Sequence, residues 1–351
     1  MSRSSARRFG AAGLLCSASA MAFALALSAG PAAAADCVEK TIDLGDGKSV
    51  TGGCEPLKIA FLTAATNNVY LQAGIKGAQD AAAEIGATLD VFDGNWTPAT
   101  QYNQVQNIIS SGNYNAILAE MNDGAQACKI LTEDAPAANV LVAVANQPLC
   151  NKAELEGEAY WSPGTLNFVG GSQGREAFRD FFTKIAEENP GPQKVIVVTG
   201  PDLNANTINT DAALADVQAK YPDFKVVANV RTNYTIPQGN EKTLPLLNAN
   251  PDATILIGNY SDITRGAVQA VKQAGLEDSI KVYDSGGSEW AFQAVRDGDV
   301  YLTRTYTPYT EMYEAVKALG AAWKGESVPR YFALESALVT KDNIDENEPQ
   351  Y

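Results

Sequence analysis

Amides, carboxylates and aromatic rings recur at one kind of place in this chain, immediately after short apolar runs. Asn67, Asn68 and Tyr70 follow the first run. Asn95 and Trp96 follow the second, and Glu120, Met121, Asn122 and Asp123 the third. Asn146 and Gln147 follow the fourth. Later runs end in Asp202, Asn204, Asn206 and Asn209, then in Asn259, Tyr260 and Asp262, then in Asp284, Ser285 and Ser288, and finally in Tyr306. An amide both donates and accepts, and a carboxylate accepts strongly. Aromatic rings cover C–H faces and exclude water. That mixture suits a small hydroxyl-rich molecule. A carboxylate or phosphate ligand would call for clustered Arg or Lys, and these loops offer only Arg175, Arg265 and Arg304. Any single Asn or Asp here could equally cap a helix or shape a turn. The recurrence carries the reading.

The chain has no histidine. That excludes Ser-His-Asp, Cys-His and His-metal chemistry. No CxxC, GxGxxG or P-loop motif occurs either. The expectation is a protein without metal, cofactor or catalytic residue. The rival is a secreted carbohydrate-active enzyme using paired acids such as Asp262 and Asp284.

The first 35 residues read as an export signal: Arg3, Arg7 and Arg8, an apolar run from Ala11 to Leu27, then small residues before Asp36. Arg7-Arg8 leaves twin-arginine export open, although "FGAAG" matches that signal poorly. Removing these three arginines from 26 basic residues leaves 23 against 41 acidic ones, a net charge of −18. Such a surface repels nucleic acid and anionic lipid. Four cysteines remain, an even count that in an exported chain implies two disulfides. Local pairing gives Cys37–Cys54 and Cys128–Cys150, one of three possible connectivities.

Strands are expected at 58–63, 88–93, 115–120, 140–146, 167–171, 194–200, 225–230, 253–258 and 280–285. Stretches with helical spacing, such as "AGIKGAQDAAAEIG" and "REAFRDFFTKIAEEN", lie between them. This alternation predicts α/β architecture with parallel sheets covered on both faces. It runs twice, from "KIAFLTAATNN" and from "KVIVVTGPDLNANT", so two doubly wound, Rossmann-like lobes are expected. The lobe crossings are placed at the glycine-rich "VGGSQG" and near Tyr306. The expected layout is an extension at 36–56, one lobe from 57–171 plus 307–335, a second from 172–306 plus 336–345, and a tail at 346–351. The acidic "KDNIDENEPQY" reads as a solvated end. Ligands of open parallel sheets sit beyond the strands' carboxyl ends, so two facing lobes would make a cleft.

At "NNVYLQAGIKGAQDAAAEIG", "NYSDITRGAVQAVKQAGL" and "IKVYDSGG…AFQAVRDGDVYLT" the chain resembles the sugar-binding periplasmic proteins of ABC importers, more narrowly the ribose-binding branch of type I solute-binding proteins. The likeness covers roughly residues 57–340 and implies a multi-strand hinge between the lobes. It also implies an ABC permease as partner, an extracytoplasmic location and a monomer. A ligand-sensing subunit for a chemoreceptor or sensor kinase would share the same pocket. The family's ligand-contacting positions fall on Asn68, Tyr70, Asn259 or Tyr260, Asp284 and Tyr306. Two departures stand out. The pair that would be Asp-Arg reads Ala145-Asn146, and an arginine expected in the second lobe falls near Asn209-Thr210. Both argue against ribose and for another sugar or a polyol. The full set of expected contacts is Asn67, Asn68, Tyr70, Trp96, Glu120, Asn146, Gln147, Asn206, Asn209, Asn259, Tyr260, Asp262, Asp284 and Tyr306.

Overall fold

The computed structural model describes residues 38–202 and 204–351. The expected export signal and Cys37 lie outside the described residues. The expected Cys37–Cys54 bond therefore does too.

A short antiparallel hairpin, β1 (Lys40–Asp43) and β2 (Ser49–Gly52), precedes the lobes. Ile42, Leu44 and Val50 pack from it into the first lobe's core. The first lobe then takes β3 (Lys58–Thr63), α1 (Val69–Ile85), β4 (Thr88–Asp93), α2 (Pro98–Ser111) and β5 (Ala116–Ala119). It continues with α3 (Ala135–Ala137), β6 (Leu141–Ala145) and β7 (Asn167–Gly170). The second lobe takes α4 (Arg175–Glu188), β8 (Gln193–Thr199), α5 (Ala205–Lys220), β9 (Phe224–Arg231), α6 (Ile236–Ala249) and β10 (Ile255–Gly258). It is completed by α7 (Ser261–Ala274), β11 (Lys281–Gly286), α8 (Glu289–Asp297) and β12 (Leu302–Thr305). The chain then returns: α9 (Pro308–Trp323) and β13 (Tyr331–Ala333) join the first lobe, and β14 (Leu338–Val339) joins the second.

The sheet orders are β13-β7-β6-β5-β3-β4 and β14-β12-β11-β10-β8-β9. All neighbours are parallel except β14, which runs against β12. The expected two-lobe α/β fold is therefore what forms. Central strands such as β5, β6 and β10 are buried along their whole length, as parallel strands covered on both faces must be. The edge strands β4 and β9 alternate instead, because only one face is covered. The runs read as apolar on both sides thus divide by position in the sheet. Cys128 and Cys150 form the expected local disulfide.

Helix α1 begins at the cleft, with Tyr70 in its first turn, and packs against α9. Gly77 makes that possible: a Cβ there would lie 2.1 Å from the carbonyl oxygen of Tyr309. The helices approach backbone to backbone, so any larger residue would push α1 outward. Three segments cross between the lobes, after β7, after β12 and between β13 and β14. Arg304, almost fully buried on β12, joins them. Its guanidinium donates to the Ser172 carbonyl and to Ser336 Oγ (3.2 Å) and lies 4.2 Å from the Phe178 ring centre. It ties the crossing segments together and does not line the cleft between the lobes.

Candidate ligand-binding cleft

The loops at the carboxyl ends of both sheets meet around about 520 Å³ of space, part of it open to solvent. The first lobe contributes Asn68, Tyr70, Trp96, Glu120, Asn122, Asn146 and Gln147, with Ala64, Leu71 and Met121 as apolar lining. Gln173 enters from the first crossing segment. The second lobe contributes Asn204, Asn206, Tyr234, Tyr260 and Tyr306. No lysine or arginine lines this space among the described residues. The lobes already touch there, because Gln147 Oε1 accepts from the Ala205 backbone N–H at 3.2 Å.

Tyr70 is the centre of the first-lobe side. Its hydroxyl accepts from Gln173 Nε2 at 2.7 Å and from Asn146 Nδ2 at 3.2 Å, and donates to Glu311 Oε2 at 3.3 Å. Asn146 holds φ 61° at the end of β6, a left-handed conformation that Asn tolerates better than most residues. The turn aims its amide at Glu120 Oε1, 3.0 Å away. Its own Oδ1 is buried and has no hydrogen-bond partner, which leaves an acceptor for a ligand hydroxyl. Glu120 also accepts from Thr63 Oγ1 at 2.9 Å. Gln101 clips the loops after β3 and β5 together, donating to the Thr63 and Glu120 carbonyls at 3.0 and 2.9 Å. Burial pushes the Glu120 carboxyl above its ordinary range. It pushes the Glu311 carboxyl well above, with the nearby Glu120 charge adding to the rise.

Trp96 stands at the mouth, 42% exposed. It and Asn95 both carry positive φ, 54° and 47°. A bulky residue rarely adopts this conformation, and such strain concentrates at ligand-binding sites. The indole N–H donates to Asn67 Oδ1 at 3.0 Å, which fixes the ring over the opening.

On the second-lobe side the amides and Tyr306 bond largely to one another, although Asn259 Oδ1 is buried without a partner. Asn206 Nδ2 donates to Gln173 Oε1 at 2.6 Å and to the Tyr306 hydroxyl at 2.8 Å. Asn206 Oδ1 accepts from Asn259 Nδ2 at 2.6 Å. Tyr306 in turn donates to the Asn259 carbonyl at 2.7 Å. Tyr234, at φ 61°, lies across Gly200, where a Cβ would fall 1.9 Å from the ring. Gly200 thereby lets that tyrosine reach the space. The Tyr260 hydroxyl is buried without a partner.

Nine of the fourteen expected contacts line the space: Asn68, Tyr70, Trp96, Glu120, Asn146, Gln147, Asn206, Tyr260 and Tyr306. The other five lie elsewhere. Asn67 is exposed and holds Trp96. Asn209 is buried against the Gln173 carbonyl (2.9 Å), and Asn259 sits beneath Asn206. Asp262 is in the first turn of α7. Asp284 Oδ2 accepts from Thr303 Oγ1 (2.6 Å), Ser261 Oγ (2.9 Å) and Gly287 N–H (3.2 Å), so it organises the β11 loop from below. The rival pair of catalytic acids, Asp262 and Asp284, is therefore not at the cavity. Asn68 has a divided role, since its Oδ1 caps α1 through Leu71 N–H at 2.8 Å. Gln173, Tyr234 and Glu311 escaped the sequence reading. Gln173 was visible only as part of a glycine-rich hinge, and Tyr234 followed an edge strand with no amide pair to mark it. Arg175, one of the three arginines considered, pairs with Asp216 at 2.6 Å and links α4 to α5.

The family described as "Periplasmic binding protein domain" matches residues 59–327. The chain belongs to this periplasmic binding protein family. The "Ribose import binding protein RbsB" of Escherichia coli is 24% identical over 288 residues, 81% of this chain and 90% of that protein. The "Xylitol-binding protein" of Mycolicibacterium smegmatis is 27% identical over 162 residues, and that match spans only 46% of each protein. Among solved structures, the Caulobacter myo-inositol binding protein bound to myo-inositol superposes with a TM-score of 0.74 at 18% identity. That alignment covers 84% of this chain and 98% of the other and bears on the fold. The chain thus shares its fold with the myo-inositol binding protein, and its sequence relatives are named for ribose and xylitol binding.

Proposed function

We propose that this protein captures a small polyhydroxylated molecule, a monosaccharide or sugar alcohol, between its lobes and delivers it to an ABC-type importer. One observation carries the reading: among the described residues the interlobe space is lined by amides, tyrosines, one tryptophan, one carboxylate and a few apolar residues, with no basic side chain. Amide and hydroxyl side chains can supply both donors and acceptors there, as hydroxyls require. Ligand anions would find no cation there. The same lack of an arginine favours a ligand other than ribose. The names of the xylitol- and ribose-binding relatives support the class without choosing a member.

Periplasmic binding proteins are a standing example of hinge closure around a ligand. In this chain residues 57–171 with 307–335 would move against residues 172–306 with 336–345, about the crossings that Arg304 ties together. A ligand touching Glu120 and Asn146 on one side and Asn206 and Tyr306 on the other favours the closed form through contacts the open form lacks. The closed protein would present both lobe surfaces to a permease and release the ligand chemically unchanged. Export through a cleaved signal at residues 1–35, and action as a monomer outside the cytoplasm, complete the proposal.

Thermal melting with a panel of pentoses, hexoses, pentitols and inositols tests it. A ligand at 100-fold excess over Kd stabilises the native state by about 2.7 kcal/mol. At least one hydroxylated compound should raise the melting temperature. If none does while an amino acid or organic acid does, the ligand class is wrong.

A further inference from the structure

The acidic side chains of "KDNIDENEPQY" are exposed, as expected of a solvated end, but the segment that carries them is docked at Ile344, Gln350 and Tyr351. Ile344 is buried in the second lobe's core, and the Asn343 side chain fixes the start of the segment, accepting from Thr340 N–H at 2.8 Å and donating to the Leu338 carbonyl at 2.9 Å. From that anchor the chain runs across to the first lobe. Gln350 Oε1 accepts from the Thr310 backbone N–H at 3.2 Å, and Gln350 Nε2 donates to Thr310 Oγ1 at 2.7 Å. Thr310 lies in the first turn of α9, whose own N-cap residue, Thr307, makes no side-chain capping bond. Gln350 therefore supplies a helix cap from another part of the chain.

Tyr351 binds both lobes at once. Its ring packs edge-on against Tyr70 of the first lobe, with centroids 5.4 Å apart. It lies parallel to Tyr260 of the second lobe at 6.4 Å and 6°. Its hydroxyl donates to the Gly286 carbonyl at 2.8 Å, and its backbone oxygen accepts from Glu289 N–H, the first residue of α8, at 2.7 Å. Tyr70 and Tyr260 both line the ligand space. Tyr351 thus stands behind two contact residues, one from each lobe.

We propose that this segment is a latch across the cleft. Anchored in the second lobe, it grips the first through Gln350 and backs Tyr70 and Tyr260 with Tyr351. It holds the lobes together before ligand arrives and sets the spacing of the two rings. Tyr351 is a positioning residue. The proposal builds on the ligand-binding reading but its first readout needs no ligand. Every contact between Tyr351 and Tyr70, and between Gln350 and Thr310, must break when the lobes part. The latch therefore raises the fraction of closed molecules. Apparent affinity scales with that fraction.

Small-angle X-ray scattering of ligand-stripped protein tests the latch, comparing the unaltered chain with Tyr351→Ala, Tyr351→Phe and Gln350→Ala. The unaltered chain should match the closed arrangement. Tyr351→Ala and Gln350→Ala should give larger radii of gyration while keeping cooperative melting, and Tyr351→Phe should fall between. Xylitol and myo-inositol titrated in parallel should bind Tyr351→Ala about tenfold more weakly, if they bind at all, through the smaller closed fraction. Identical scattering from the unaltered chain and both alanine variants, or an already open unaltered chain, overturns the latch. If Tyr351→Ala fails to fold, Gln350→Ala decides alone, since it removes only the grip on Thr310. Failure of both sugar alcohols to bind would bear on the ligand class and leave the scattering result standing.

Discussion

The two sides of the cleft use similar side chains in opposite ways. On the first-lobe side, Glu120, Asn146 and Trp96 face the space with capacity to spare: a buried carboxylate, an unpartnered amide oxygen and an exposed ring. On the second-lobe side, Asn206, Asn259, Tyr306 and Asp284 bond mainly to one another and to their own loops. The carboxylates show the contrast most clearly. Glu120 lines the space, whereas Asp284 lies under it with three donors on one oxygen. The second-lobe groups are the more interbonded set, although the Asn259 Oδ1 and the Tyr260 hydroxyl are buried there without partners, as Asn146 Oδ1 is in the first lobe.

Tyr70 should give the largest effect, because it joins both sides. Its hydroxyl meets Gln173, Asn146 and Glu311, and its ring meets Tyr260, Tyr306 and Tyr351. Tyr70→Ala is expected to lose ligand binding at least hundredfold in calorimetric titration. It should also destabilise the fold by about 3–5 kcal/mol, as large aromatic truncations do. Tyr70→Phe should keep most of the stability.

Next come the two carboxylates, compared directly. Glu120→Gln should weaken binding about tenfold with little change in melting temperature, since one charge-assisted hydrogen bond is lost. Asp284→Asn should do the reverse, costing roughly 1–3 kcal/mol of stability while affinity changes less. Urea unfolding and titration of both variants separate these outcomes. Equal effects on both quantities would erase the distinction between the two sides.

Glu311 gives a pH-dependent prediction. Its carboxyl is held well above the ordinary 4.5 by burial and by the Glu120 charge. The folded state therefore keeps this proton to higher pH than the unfolded chain does. The favourable contribution is complete below about pH 4.5 and is lost as pH rises through the raised value. Glu311→Gln should stabilise the protein at pH 8 and flatten that part of its pH profile, with the advantage vanishing at acid pH. The smallest effect belongs to Trp96→Ala. It should cost about 0.5–1.5 kcal/mol of binding through the lost ring contact, with melting almost unchanged, because the indole is exposed.

Much of the fold was legible because a buried parallel strand leaves a plain trace. "KIAFLT" and "TLDVFD" were placed at the residues where β3 and β4 form, and the other expected strands lie within two residues of their ends. The strands not foreseen carry no continuous apolar run: β12 reads LTRT, β1 and β2 read KTID and SVTG, and β13 and β14 span only three and two residues. The site was legible where a loop directly follows a central strand, as at Glu120 and Asn146. It was not legible where tertiary contacts set the role. Asp284 has the chemistry of a ligand contact, yet Ser261 and Thr303 claim it. Glu311 sits in a helix that returns after the second lobe. Tyr351 belongs to a segment whose acidic residues hide its docked end, and nothing local marks it as partner to Tyr70.

The most direct measurement is a crystal structure with the compound that most raises the melting temperature. The account predicts a single hydroxylated ligand between the lobes, hydrogen-bonded to Glu120 and Asn146 on one side and to Asn206 or Tyr306 on the other, with Trp96 over the opening. A ligand bound elsewhere, or held by one lobe with the cleft standing open, would contradict it.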